Sequence, residues 1–166
     1  MLFRHLIPLL LLAVGAFSAV PVRAEVLVPF KGAWTGVTVA ADFSNFPVVG
    51  VLSEGGGTLA HLGRYRMVSP HTSNVFTGET IGEQIFTAAN GDTLTAHCEG
   101  FPVPEPDGSS VVGTLECTFT SGTGRFAGAT GGYEFSFVAV LRTDGGPGYA
   151  TVADMDGSIS SVGSNK

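Results

Sequence analysis

The tightest constraint on the fold of this chain is a glycine-dense segment, Ser121-Gly-Thr-Gly-Arg-Phe-Ala-Gly-Ala-Thr-Gly-Gly-Tyr133, set between two runs that alternate like β-strands. Gly122, Gly124, Gly128, Gly131 and Gly132 lie too close together for any regular element, and each permits a bend or close backbone approach that a side chain would block. The segment must therefore turn a corner. A phosphate-binding loop needs a parallel strand before it and a helix after it, whereas Tyr133-Glu-Phe-Ser-Phe-Val-Ala-Val-Leu141 alternates as a strand.

The rest of the chain reads the same way. Short β-branched and aromatic runs are bounded every ten or so positions by Gly, Asn, Asp or Pro, the pattern of an antiparallel sandwich or barrel, and no helical period follows Ala24. Strands are predicted near 34–41, 47–54, 58–68, 72–79, 81–89, 92–99, 110–120, 132–142 and 149–160, eight or nine in all. Between two of them, Asn90-Gly91 can adopt the positive φ values of a two-residue hairpin turn. Centring the turn there pairs Thr87 with Leu94 and Ile85 with Ala96. Ile85, Leu94, Ala96 and Cys98 then share one face, with Phe86 and His97 on the other.

Cys98 and Cys117 are the only cysteines. If they oppose one another across an antiparallel pair, the midpoint falls at Asp107-Gly108, inside the loop-like Phe101-Pro-Val-Pro-Glu-Pro-Asp-Gly108. Leu94, Ala96 and Cys98 share a parity, as do Leu115, Cys117 and Phe119. A disulfide on the inner face between strands 92–99 and 110–120 is therefore expected.

Residues 1–24 read as a cleavable signal peptide: Met1-Leu-Phe-Arg-His5 is a short basic start, Leu6 to Val20 is almost wholly apolar, and Val22-Arg23-Ala24 suits cleavage after Ala24. Residues 25–166 then form a single domain with a frayed C-terminal end, secreted or periplasmic and without membrane insertion after cleavage. Losing Arg4 and Arg23 leaves six basic residues against fourteen acidic ones, a net charge of −8. That balance argues against nucleic acid as a partner. It equally disfavours anionic membrane surfaces, and an oxidising destination suits the cysteine pair.

Gly122-Thr-Gly-Arg-Phe-Ala-Gly-Ala-Thr-Gly131 resembles the Gly-(Ser/Thr)-Gly-x-Phe-x-x-Ala-x-Gly corner of plant allene oxide cyclases and dirigent proteins. It is more similar still to the corner of bacterial exported proteins with barrels of this kind, as are the blocks His61-Leu-Gly-Arg64 and Ala88-Ala-Asn-Gly-Asp92. The resemblance runs in block order over roughly residues 32–161. It implies an all-β fold, an antiparallel, calycin-like β-barrel of about eight strands, with Gly122, Gly124, Gly128 and Gly131 as its structural corner. It implies no activity: Arg125 occupies a variable position of the corner, and the polar residues with which the plant proteins steer apolar substrates have no matching motif here.

No nucleophile motif, metal-ligand cluster or paired carboxylates stand out, so no catalytic residue, metal or cofactor is assigned. Asp154-Met-Asp156-Gly157 lacks the further ligands of a calcium loop and reads as a strand-end turn. His71 falls between predicted strands and His97 beside a cysteine, without metal spacing. Alternation in His61-Leu-Gly-Arg-Tyr-Arg-Met67 points His61, Tyr65 and Met67 inward, and Tyr133, Phe135 and Phe137 share a face on the late strand. His61, Tyr65 and Tyr133 are thus the candidates to line the lumen. An eight-stranded barrel is either filled by side chains or holds one small ligand, and the filled interior is the simpler expectation.

Three functions follow. The chain is first a non-catalytic exported barrel acting through its surface or as a carrier of a small apolar molecule. Alternatively it is a cyclase-, isomerase- or dirigent-like protein that shapes an apolar substrate, or an oligomeric envelope protein that self-associates through outward valines such as Val138 and Val140.

Overall fold

A computed structural model describes residues 26–160. The expected signal peptide and the C-terminal end lie outside those residues. The described chain forms β1 (Leu27–Asp42), β2 (Val48–Leu59), β3 (Gly63–Asn74), β4 (Thr80–Ala88), β5 (Thr93–Gly100), a two-residue β6 (Val103–Pro104), β7 (Ser110–Gly122), β8 (Gly131–Leu141) and β9 (Tyr149–Ser160). The long strands pair antiparallel in the order β5-β4-β3-β2-β1-β9-β8-β7, and β5 pairs with β7 to close the ring. The expected all-β barrel of eight strands is therefore formed. Closure removes the free edges that an open sheet would expose.

The first three strands differ from their expected limits, β1 beginning at Leu27 and not near 34. The expected breaks at 55–57 and 69–71 lie inside continuous strands, and the turn falls at 60–62. Gly55-Gly56-Gly57 is mid-strand in β2 because aromatic rings lie flat on the sheet there: a Cβ at Gly36 or Gly55, which face each other across β1 and β2, would collide with the indole of Trp34. Pro70 is tolerated within β3 because its ladder to β2 continues through Leu52 while the ladder to β4 skips Ser69 and Pro70.

The β4–β5 hairpin also departs from expectation, by one residue. Thr87 pairs with Thr93 and Phe86 with Leu94. The loop is three residues long: Gly91 N–H donates to the Ala88 carbonyl and Ala88 N–H to that of Asp92, each at 2.9 Å, and Gly91 takes the left-handed conformation at φ 88°. That is the turn-plus-bulge alternative to the two-residue hairpin. A one-residue slip exchanges the faces of a strand, so Phe86 is fully buried with Leu94, Ala96 and Cys98 while Ile85 lies on the outer face.

The disulfide joins Cys98 to Cys117, which are direct partners across β5 and β7, and both sulfurs face the core. Asp154 and Asp156 lie within β9 and not at a strand-end turn; Asp156 takes Lys31 Nζ at 2.8 Å on the outer face.

The barrel has two unlike ends. At one, the β2–β3 turn, the β4–β5 turn and the glycine corner meet. The corner leaves β7 at Gly122, makes a single 3₁₀ turn over Gly124–Phe126 and re-enters the sheet at Gly131. This turn drives Phe126 completely inside, against the apolar core. Above it stack Phe30, Phe86, Phe119, Tyr65 and Tyr133, with ring centroids 5.0 to 6.0 Å apart. Offset and edge-to-face aromatic packing of this kind adds about 0.5–1.5 kcal/mol per pair beyond burial. This half of the barrel is solid.

Candidate functional site

The other half is hollow. A cavity of about 650 Å³ opens among the β1–β2, β3–β4, β5–β7 and β8–β9 loops and descends to the level of Gln84 and Cys98. Its volume lies within the roughly 300–1,000 Å³ of small-molecule sites. The expectation of a filled interior therefore holds for only one half of the barrel.

The walls follow from strand alternation. Inward positions of β2, β3, β7 and β8 bring Val49, Met67, Leu115, Phe135, Phe137 and Ala139 to the cavity, so most of the lining is apolar. A few polar groups interrupt it. Ser53 projects from β2, Ser69 and His71 from β3, and Gln84 from β4. Trp34 enters from β1 against Phe135, with centroids 5.8 Å apart. Its indole nitrogen is buried without a hydrogen-bond partner, alone in this among the side-chain polar atoms of the described residues.

At the cavity floor, Tyr133 donates its hydroxyl to Gln84 Oε1 at 2.7 Å. Tyr65 lies deeper and donates to the carbonyl of Ala33 at 2.9 Å. Burial raises the pKa of both phenols well above the usual value, with Tyr65 adding to the effect on Tyr133. Both remain protonated donors at neutral pH. Beside Oε1, which accepts from Tyr133, Gln84 brings a pair of amide N–H donors to the cavity wall.

His71 is the imidazole of the site. Its Nδ1 stands 3.1 Å from the Ser69 carbonyl oxygen, which can only accept, so Nδ1 carries the proton and Nε2 is left as an acceptor. Burial lowers the pKa of His71 against a smaller opposing effect of the Ser69 carbonyl, keeping the ring neutral. Of the cavity-lining residues only Glu83 carries a charge at neutral pH, and it alternates to the outer face of β4. The interior is thus polar in places but uncharged.

The mouth extends this surface outward. Phe43 and Phe46 in the β1–β2 loop, Phe76 in the β3–β4 loop and Phe101 after β5 are all exposed, and Phe46 meets Phe76 edge to face at 5.5 Å. Phe43 also lines the cavity, so its apolar wall extends out to the β1–β2 loop.

The structure separates the three lumen candidates. Tyr65 and Tyr133 point inward, but into the packed half and at the floor of the cavity. His61 does not enter the barrel: it sits exposed on the β2–β3 turn with φ 66°, because the alternation that should have carried it inward ends at that turn. His71 takes the place foreseen for it. Its signal in the sequence is parity, since Tyr65, Met67, Ser69 and His71 share one face, and Pro70 masks it by resembling a strand end. His97 faces outward from β5, and among the described residues no group of three metal-binding side chains assembles.

Of the corner glycines, Gly124 and Gly131 each have a positive φ, +56° and +110°, and a Cβ would strike the carboxylate of Asp92 at the first and the backbone carbonyl of Ser158 at the second. The neighbouring Arg125 binds the three turns of the solid end together. Its backbone N–H donates to Asp92 Oδ2 at 3.3 Å, its guanidinium donates to the Leu62 carbonyl at 3.2 Å, and the same guanidinium stands 4.8 Å from the Phe126 ring.

No family model and no curated protein matches the chain. Among solved structures, the pterocarpan synthase dirigent protein GePTS1 is similar over 89% of this chain and 99% of its own, at 16% sequence identity and a TM-score of 0.44.

Proposed function

We propose that this protein is an exported, non-catalytic β-barrel that carries one small apolar molecule in its hollow half. The observation that supports this reading is the cavity of about 650 Å³, walled mainly by apolar side chains and reaching the exposed Phe43 at its mouth. Such a surface costs free energy in water, at roughly 25 cal/mol per Å², and an apolar guest removes it. Export is supported by the Cys98–Cys117 disulfide, a bond that persists in oxidising compartments. Among the described residues no helix is long and apolar enough to cross a membrane.

The test combines two measurements. Native mass spectrometry of protein purified from its own host should show a bound small molecule that denaturation releases. N-phenyl-1-naphthylamine, an uncharged dye that brightens in apolar surroundings, should bind one per barrel and quench Trp34, the single tryptophan of the chain. Ala139→Phe, which places a ring inside the cavity, should abolish both signals. Failure of the native protein to hold any small molecule or to bind the dye would remove the carrier reading.

A second reading concerns the outer wall. Val112, Val138 and Val152 are direct neighbours on β7, β8 and β9, and all three are exposed beside Val140. This row supports self-association of two copies through that face. Sedimentation at micromolar concentration tests it, with Val138→Lys expected to shift any dimer to monomer; a strict monomer rules it out.

A further inference from the structure

We propose that the guest is an uncharged, predominantly apolar molecule that carries a hydrogen-bond-accepting oxygen, such as a carbonyl, at the end that enters first. This inference rests on the carrier reading and narrows it to a ligand class.

One observation argues for the oxygen. Gln84 lines the cavity, and beside the oxygen that accepts from Tyr133 it carries two amide N–H donors. The indole N–H of Trp34 is closed off in the wall, so the Gln84 amide is the donor a guest can reach. A guest that covers a donor without supplying an acceptor is costly, and a ligand oxygen that reaches the amide avoids that cost. A wholly hydrocarbon guest would leave the amide unanswered.

The lack of charge follows from what the walls cannot supply. A carboxylate pushed to the floor would meet no lysine or arginine side chain, since none lines the cavity. An ammonium there would meet no carboxylate, because Glu83 faces outward and the remaining polar side chains are hydroxyls, the Asn74 and Gln84 amides and a neutral imidazole. Burying an unpaired ion is far more costly than burying a carbonyl that accepts a hydrogen bond.

The experiment displaces N-phenyl-1-naphthylamine with three molecules of matched chain: 2-undecanone, undecanoate and undecylamine, at pH 7. The ketone is expected to compete at least about tenfold better than either ion. Gln84→Leu combined with Tyr133→Phe removes the amide donors and leaves no stranded hydroxyl in their place, and should weaken the ketone relative to the dye by about fivefold, the equivalent of about 1 kcal/mol. Competition by undecanoate or undecylamine equal to that of the ketone overturns the uncharged class and leaves the carrier reading standing. An unchanged ketone affinity in the Gln84→Leu, Tyr133→Phe protein overturns the oxygen's placement. If the dye itself does not bind, both readings fall together.

Discussion

Tyr133 on β8 and Gln84 on β4 meet across the barrel through a 2.7 Å hydrogen bond, and that contact divides the packed half of the interior from the hollow half. It is a polar link in a buried place, so each partner depends on the other. Tyr133→Phe leaves the Gln84 oxygen without its donor, and the expected loss is about 1–3 kcal/mol in urea unfolding. Adding Gln84→Leu should recover part of that loss, because the stranded oxygen goes with it. Losses that simply add in the double variant would show that the two side chains are not coupled.

The disulfide closes the neighbouring seam of the barrel, between β5 and β7. A link spanning 19 residues restricts the unfolded chain, which in the loop-entropy account is worth about 3 kcal/mol. The Cys98→Ala, Cys117→Ala double variant should lose about that much, and reductant should lower the stability of the native protein but not of the variant. Equal response of both proteins to reductant would indicate that the bond contributes nothing.

The disulfide could be read before the structure because it rests on two counts along the chain, the parity of Cys98 and Cys117 within their strands and the midpoint between them. The inward face of β8, with Tyr133 and Phe135, was legible for the same reason. What failed were the places where tertiary packing overrides local punctuation. Gly55-Gly56-Gly57 looked like a turn and is a strand interior made smooth for Trp34, and Pro70 looked like an end and is only a gap in one ladder. β3 runs past Pro70, which adds His71 to the inward set, and it begins only at Gly63, which leaves His61 on the turn and outside that set. The slip at Asn90-Gly91 came from a turn sequence that suits two loop lengths. The cavity had no local signature, because its volume depends on how the inward side chains of several strands sum across the ring.

His71 gives the barrel a dependence on pH. Burial lowers its folded-state pKa below the ordinary value of 6.5. Above that value the folded and unfolded states are both neutral at this site, and it contributes no difference. As pH falls below 6.5 the unfolded chain takes up a proton that the folded chain resists, so stability declines. The melting temperature should therefore drop between pH 7.5 and 5.5, a window above the range in which Asp42, Asp92 and Asp107, whose carboxyls are held low by hydrogen bonds, take up protons. His71→Leu should flatten the slope, while His61→Leu, altering an exposed turn residue, should leave it in place. A slope that persists in His71→Leu assigns the effect to another group.

The glycine corner invites a test that separates backbone strain from crowding. Gly91 and Gly124 both have positive φ, at 88° and 56°, but a Cβ on Gly91 meets nothing within 4 Å whereas one on Gly124 would run into Asp92. Gly91→Ala should therefore cost only the left-handed conformation, about 1–2 kcal/mol. Gly124→Ala adds the collision, and it displaces a carboxylate that binds the Asn90 amide at 2.8 Å and the Arg125 N–H at 3.3 Å. Its cost should exceed that of Gly91→Ala. Asp92→Ala made alongside Gly124→Ala removes the obstacle, so the pair should be less destabilised than the sum of the single changes. Because the same contact seats Phe126 beneath the aromatic stack, the Gly124→Ala protein should also lose near-ultraviolet circular dichroism from those rings at temperatures where Gly91→Ala retains it. Equal costs for the two glycine changes would mean that the corner yields without disturbing Asp92, and that left-handed geometry alone accounts for Gly124.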